Sequence, residues 1–255
     1  MITDVFASIG AAARKLFTNF GAVLIALLFY VALWLAGYFF VTTREATQLQ
    51  VVVSLIVLPL LALIAFFVLQ VIGLSYVRIG VGAGYLLKRA LKDFWKLLIV
   101  SLPLLLLAWG LWELFGYLGQ KFVSSAKPPR QWLDLALTVA RWLVFYLVLP
   151  LWAIHLWMTT IREGLAPAFK GIGRSLLAAF SPRSVLIYAV VIAVFGTLAY
   201  FLAFTETHVK SEWGELWLVG IRFGLALLLP FVGWMLALGA MAEMTARRAM
   251  SELEV

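Results

Sequence analysis

Arg141 and Arg222 stand inside long apolar runs, and each precedes a proline, Pro150 or Pro230, by nine or eight positions. A charge held toward the middle of a bilayer costs roughly 2.5–3.5 kcal/mol on insertion scales, so each arginine needs a compensating interaction. A guanidinium is planar, always charged, and grips phosphate or carboxylate with two parallel N–H groups. Two of them at matched positions can therefore face a lipid phosphate or a carboxylate substrate. The other reading is structural. Each arginine sits about 10 Å from the outer end of its helix at about 1.5 Å rise per residue. From there it can snorkel to the headgroups or pair with Glu113 or Asp134. Gln50 precedes Pro59 by the same nine positions, so the third member of the set is neutral.

His155 is the one histidine within an apolar run. Its imidazole can ligate the magnesium of a chlorophyll or a haem iron, or it can be a hydrogen-bonded packing residue. A second histidine in an apolar run is lacking, so a bis-histidine haem held by this chain alone is not expected. Cysteine is absent, which removes thiolate metal sites and thiol nucleophiles. His-Glu-x-x-His, Gly-x-Ser-x-Gly and Gly-Lys-Ser/Thr are all missing. Gly80-x-Gly82-x-Gly84 follows an apolar helix rather than a strand, so it is no dinucleotide fingerprint. The expectation is a chain that is not an enzyme.

The elements that position these residues are helices. The chain has 255 residues, of which 65% are hydrophobic and 13% charged, with mean hydropathy +1.05. Six apolar runs reach the ~18 residues that can cross a bilayer core of about 30 Å. They are residues 21–41, 49–73, 97–119, 135–160, 184–204 and 216–242. Their continuity argues against barrel strands, which alternate, and helices satisfy their own backbone hydrogen bonds in lipid. The first twenty residues are amphipathic and carry no cleavable signal peptide pattern. Pro59, Pro150 and Pro230 fall mid-helix, where each removes a hydrogen bond and bends the helix. They read as packing kinks or as breaks around a binding site. Gly220 and Gly224, and likewise Gly233 and Ala237, place small residues four apart on the last helix, a spacing that permits close helix approach. Trp34, Tyr38, Trp112, Tyr117, Trp132 and Trp217 lie near segment ends as an interfacial belt.

A phrase recurs before the first, third and fifth runs. It is Arg-x-Leu, a short gap, then Phe: Arg14, Leu16 and Phe20; Arg89, Leu91 and Phe94; Arg174, Leu176 and Phe180. The predicted fold is an all-α integral membrane protein of six transmembrane helices, arranged as three repeated hairpins, each preceded by a basic amphipathic interfacial helix. It forms a single membrane domain over 1–255, with repeat units of about 1–75, 76–160 and 161–255. In the second copy Leu86, Leu87, Ala90, Leu91 and Phe94 oppose Lys88, Arg89, Lys92 and Lys96. Arg78 and Gly80 match Arg162 and Gly164. Asn19 and Ser181-Pro182 fall where the surface helix must turn into the membrane, and Pro128-Pro129 interrupt the second outer connection.

The net charge of +8 resolves into a topology rather than a nucleic-acid surface. Thirteen of the twenty basic residues lie on one side: Arg14, Lys15, Arg78, Lys88, Arg89, Lys92, Lys96, Arg162, Lys170, Arg174, Arg183, Arg247 and Arg248. Five lie on the other: Arg44, Lys121, Lys127, Arg130 and Lys210. Basic loops stay in the cytoplasm. The expectation is a multi-pass protein of the bacterial cytoplasmic membrane with both ends cytoplasmic. Lys88, Arg89 and Arg174 would rest on lipid phosphates.

The stretch from Ile161 to Leu176, with Glu163, Gly164, Ala168, Arg174 and Ser175, and then Phe180, resembles a pattern in bacterial polytopic proteins. These include the membrane region of some glycerophosphodiester phosphodiesterases and related uncharacterised six-helix proteins. The shared pattern is a Glu-Gly exit, an Ala-rich basic helix with Arg-Ser, and an aromatic before the next span; residues 78–95 form a looser copy. No soluble phosphodiesterase domain is expected within these 255 residues, so that activity is not carried over. The resemblance therefore implies a membrane-embedded helper module without assigned chemistry.

Together these features predict a non-catalytic accessory or scaffold subunit of a larger membrane complex, an energy-transducing one, respiratory or photosynthetic. Its partners would be membrane lipids, including bound phospholipid, and other membrane subunits, with no nucleic acid. The alternatives are a transporter or lipid-handling protein with an anion site at Arg141 and Arg222, and a pigment- or haem-carrying subunit with His155 as ligand.

Overall fold

The computed structural model describes residues 1–44, 47–77, 82–124, 131–206 and 211–253. Arg78, Gly80, Lys127, Pro128, Pro129, Arg130, Lys210 and the side chain of Arg248 lie outside the described residues. Among the described residues every regular element is a helix. They comprise α1 (Ile2–Thr18), α2 (Phe20–Thr42), α3 (Gln48–Ser75) and α4 (Ala83–Leu118), the last ending in a π turn, Gly119–Ser124. Then come α5 (Trp132–Glu163), α6 (Leu165–Lys170), α7 (Ile172–Ala179), α8 (Pro182–Phe204) and α9 (Glu212–Leu253). Six of them, α2, α3, α4, α5, α8 and α9, are long and apolar enough to cross a membrane.

The breaks between helices have local causes. Asn19 separates α1 from α2, and its side-chain oxygen accepts from the Ala22 N–H at 3.2 Å. Thr47 and Gln50 form a reciprocal capping box that starts α3. Gly164 ends α5 at φ +96, a backbone region essentially restricted to glycine. Pro182 opens α8, where its missing N–H costs nothing. By contrast α4 runs unbroken through Lys96 and Leu97, although the surface helix and the span were distinct in sequence. No glycine, proline or capping residue stands at that junction, and one buried stripe continues across it: Leu86, Ala90, Asp93, Leu97, Val100 and Leu104.

Two of the three matched prolines share a backbone device. Immediately before Pro59, residues Val53–Val57 form a π turn, and the Leu58 N–H reaches the carbonyl of Val53. Before Pro150, Val144–Val148 do the same, and the Leu149 N–H reaches Val144. Proline cannot donate within a helix, and its ring crowds the carbonyl four residues back. The extra residue of a π turn moves that carbonyl aside. Pro230 has no such turn and lies within the unbroken α9.

The helices form two compact units, residues 1–94 with 186–255, and residues 95–185. In the first, α2 packs along α3 through the small residues Ala22, Ala26 and Ala36, and α1 lies on α9 through Val5, Ser8, Ala12 and Leu16. Every residue from Phe67 to Val77 is buried, as are Met235 to Met241 on α9. A Cβ on Gly239 would overlap the Tyr76 hydroxyl, and one on Gly73 would overlap Leu238. In the second unit the later half of α5 packs on α7. Trp152 Nε1 donates to the Ile172 carbonyl at 3.3 Å and to Ser175 Oγ at 3.2 Å.

Candidate functional site

Arg141 is half-buried in the third turn of α5, and its Cζ lies 3.6 Å from the centroid of the Trp112 ring on α4. Cation–π attraction operates within about 6 Å of a ring. Phe145 packs edge-on against the same indole at 5.7 Å, and Trp142 stacks on Tyr146 at 4.4 Å. Among the described residues no carboxylate pairs with Arg141, Glu113 and Asp134 included, and no group accepts a hydrogen bond from it.

Arg222 has different surroundings. Its Nε donates to the Leu202 carbonyl at 2.9 Å, and its Nη2 donates to the Thr205 carbonyl. Those carbonyls close the C-terminal end of α8, where a cation complements the helix dipole. A cleft of about 320 Å³ beside it is lined by Glu206, Glu215, Val219 and Phe223 as well as by Leu202 and Arg222. Its lining residues all belong to the first unit, and Arg141 belongs to the second.

His155 is buried, and its Nε2 lies 3.0 Å from Ser184 Oγ. Ser184 in turn accepts from Ser181 Oγ at 2.8 Å. This hydrogen-bonded chain ties α5 to the first turn of α8, and a metal or pigment at Nε2 would have to displace Ser184. Among the described residues no group of three or more His, Asp or Glu side chains is placed to hold a metal ion.

The basic residues of the surface phrases divide. Lys88 and Arg174 are exposed, while Arg89 is half-buried with its Nε 3.6 Å from Asp93. Beside exposed Arg174, Ser175 is buried and bonded to Ile172 and Trp152, so the Arg-Ser pair places one residue outward and one inward.

Sequence reasoning missed the internal polar ties. Gln70 is 1% exposed and accepts from Trp234 Nε1 at 2.7 Å. Trp157 Nε1 donates to Ser101 Oγ at 2.7 Å. Tyr76 donates to the Met235 carbonyl at 3.1 Å. Burial pushes its phenol well up, and the Glu243 carboxylate adds to the shift. Lys15 Nζ lies 2.8 Å from Glu243 Oε2, and Arg247 bonds the other carboxylate oxygen at 3.3 Å. Uncharged polar residues within apolar runs, such as Gln70 and Ser101, were the available signal.

No protein family model, no curated protein and no solved structure matches this chain.

Proposed function

We propose that the chain is a non-catalytic accessory or scaffold subunit of a larger, energy-transducing membrane complex in the bacterial inner membrane. One observation carries this reading: several polar side chains within the spans are engaged internally while the outward faces are largely apolar. Gln70, Ser101, His155 and Arg222 all have internal partners. Yet only 11% of the most apolar stretch of α2, and 11% of that of α5, is buried. Such faces suit lipid and neighbouring transmembrane helices, whose association depends on packing. In this reading His155 is a packing residue.

The proposal includes three hairpin repeats, each led by an interfacial helix, and both ends of the chain in the cytoplasm. Its support is that most of each recurring phrase is helical, residues 14–18 of the first, 89–94 of the second and 174–179 of the third, together with the shared π turns before Pro59 and Pro150. The basic asymmetry supports the orientation. The resemblance to the membrane region of glycerophosphodiester phosphodiesterases is taken in the same sense, as a helper module. The test is gentle purification of the native chain from its own membrane. Co-migration with other membrane subunits, well above the 28.4 kDa of the chain itself, is the expected result. A chain that runs alone or only with copies of itself would sink the proposal.

A second reading, lipid handling through an anion site, is favoured by one feature: the guanidinium of Arg141 lies over the Trp112 ring and has no acceptor among the described residues. Delipidated protein should then regain thermal stability when phospholipid is returned, and Arg141→Gln should not.

A further inference from the structure

We infer that Arg141 and Asp134 form one headgroup site for a phospholipid carrying both a phosphate and a primary ammonium, with the phosphate on Arg141 and the ammonium on Asp134. The inference rests on the lipid-handling reading above and narrows it to one arginine and one lipid class.

The Cζ of Arg141 lies 3.6 Å over the centroid of the Trp112 ring, and no described residue accepts a hydrogen bond from its guanidinium. A guanidinium carries five N–H donors in its plane, so without a described acceptor they stay open to a phosphate. Arg222 occupies the matching sequence position but already donates to the carbonyls of Leu202 and Thr205. The two arginines therefore provide one open donor set, not two.

The polar residues around Arg141 indicate the rest of the ligand. Asp134, Thr138 and Arg141 follow at spacings of four and three, which puts them on one face of α5. Asp134 is exposed in the first turn of the helix and Arg141 is half-buried two turns further in. The axial rise between them is about 10 Å. Helical side chains lean back toward the N-terminus, so the long arginine closes part of that gap while the short aspartate stays near the end of the span. A phospholipid headgroup has the same order, with phosphate nearer the acyl chains and the amino group further out. A purely anionic headgroup would meet the Asp134 carboxylate, whereas a zwitterion satisfies both charges. Trp112, Trp142 and Tyr146 are exposed around the site, and amphipathic rings of this kind settle at headgroup level.

The test offers the full chain in detergent an equal mixture of phosphatidylethanolamine and phosphatidylglycerol and counts retained lipids by native mass spectrometry. The expected result is several-fold preference for phosphatidylethanolamine in the native chain. Arg141→Gln should lose retention of both lipids. Asp134→Asn, a change at an exposed position, should abolish the preference and keep the phosphatidylglycerol. Arg222→Gln should keep the native ratio. A native chain that prefers phosphatidylglycerol, or an unchanged ratio in Asp134→Asn, would overturn the inference. So would stronger competition by water-soluble glycerophosphoethanolamine than by the lipid itself, since the source would then not be the membrane. Retention lost in Arg222→Gln but kept in Arg141→Gln would overturn it while leaving a lipid site elsewhere on the chain. Retention unchanged in both arginine variants would remove the lipid-handling reading as well.

Discussion

Lys15 near the end of α1 and Glu243 near the end of α9 meet at 2.8 Å, although 228 positions separate them. The pair is partly buried, and Glu243 also accepts from Arg247. Charge-assisted bonds in such settings are worth more than exposed ion pairs. Glu243→Gln should cost about 1–2 kcal/mol of stability. Hydrogen exchange should quicken at the α1 amides from Val5 to Leu16, because α1 lies on α9 along that stripe. Unchanged exchange in α1 would mean that apolar packing alone holds the helix.

Gly239 and Tyr76 test the tightest contact in the first unit. Gly239→Ala places a methyl where the phenol oxygen sits, and overpacking of this kind costs about 1–3 kcal/mol. Tyr76→Phe removes that oxygen and its bond to Met235, a loss of about 1 kcal/mol. The double variant should be more stable than the sum of the two losses predicts, since the phenylalanine ring makes room. Thermal unfolding of all four chains gives the coupling directly.

The same phenol sets an alkaline limit. The folded state raises the Tyr76 pKa above its ordinary 10.0, through burial first and Glu243 second. The folded state therefore binds this proton more tightly than the unfolded chain. The stabilisation is fully present below about pH 10 and is lost as pH rises toward the folded value. Stability measured from pH 8 to 11.5 should fall above pH 10, and Tyr76→Phe should flatten that fall. Identical slopes in the two chains would show that other groups govern it.

Arg222→Gln should lower stability by about 1–2 kcal/mol, because two carbonyls at the end of α8 lose a charged donor. Its signature is local: exchange should increase in the last turn of α8, around Leu202 to Phe204. Arg141→Gln should leave that turn unchanged.

The orientation has a clean test because the chain contains no cysteine. Single cysteines at the exposed positions Arg44, Lys88 and Lys170 report on the two sides. An impermeant thiol reagent added to intact cells should label Arg44→Cys alone. Labelling of Lys88→Cys and Lys170→Cys instead would invert the topology.

How the matched polar residues resolve shows how far the pattern could be read. Gln50, Arg141 and Arg222 share a spacing to proline, yet Gln50 caps a helix, Arg141 lies on an indole and Arg222 closes a helix end. The spacing is a property of one helix, and these partners come from others or from the chain's entry into the span. Leu202 is 20 positions from Arg222, and Trp112 is 29 positions from Arg141. The π turns before Pro59 and Pro150, and their absence before Pro230, were equally illegible, since proline demands relief but leaves its form to the surrounding packing.

Sequence alone determined the six spans and the breaks at Asn19, Gly164 and Pro182. Transfer of an apolar run into lipid, the capping preference of a short polar side chain and the φ range of glycine are all local energies. Tertiary structure alone decided which polar groups are internal ties and which stay open. It joined Gln70 to Trp234 and Lys15 to Glu243, buried Tyr76 against Gly239, and left the guanidinium of Arg141 without an acceptor among the described residues. A hydrogen bond requires two groups within about 3 Å, and only the packing of distant helices brings such groups together.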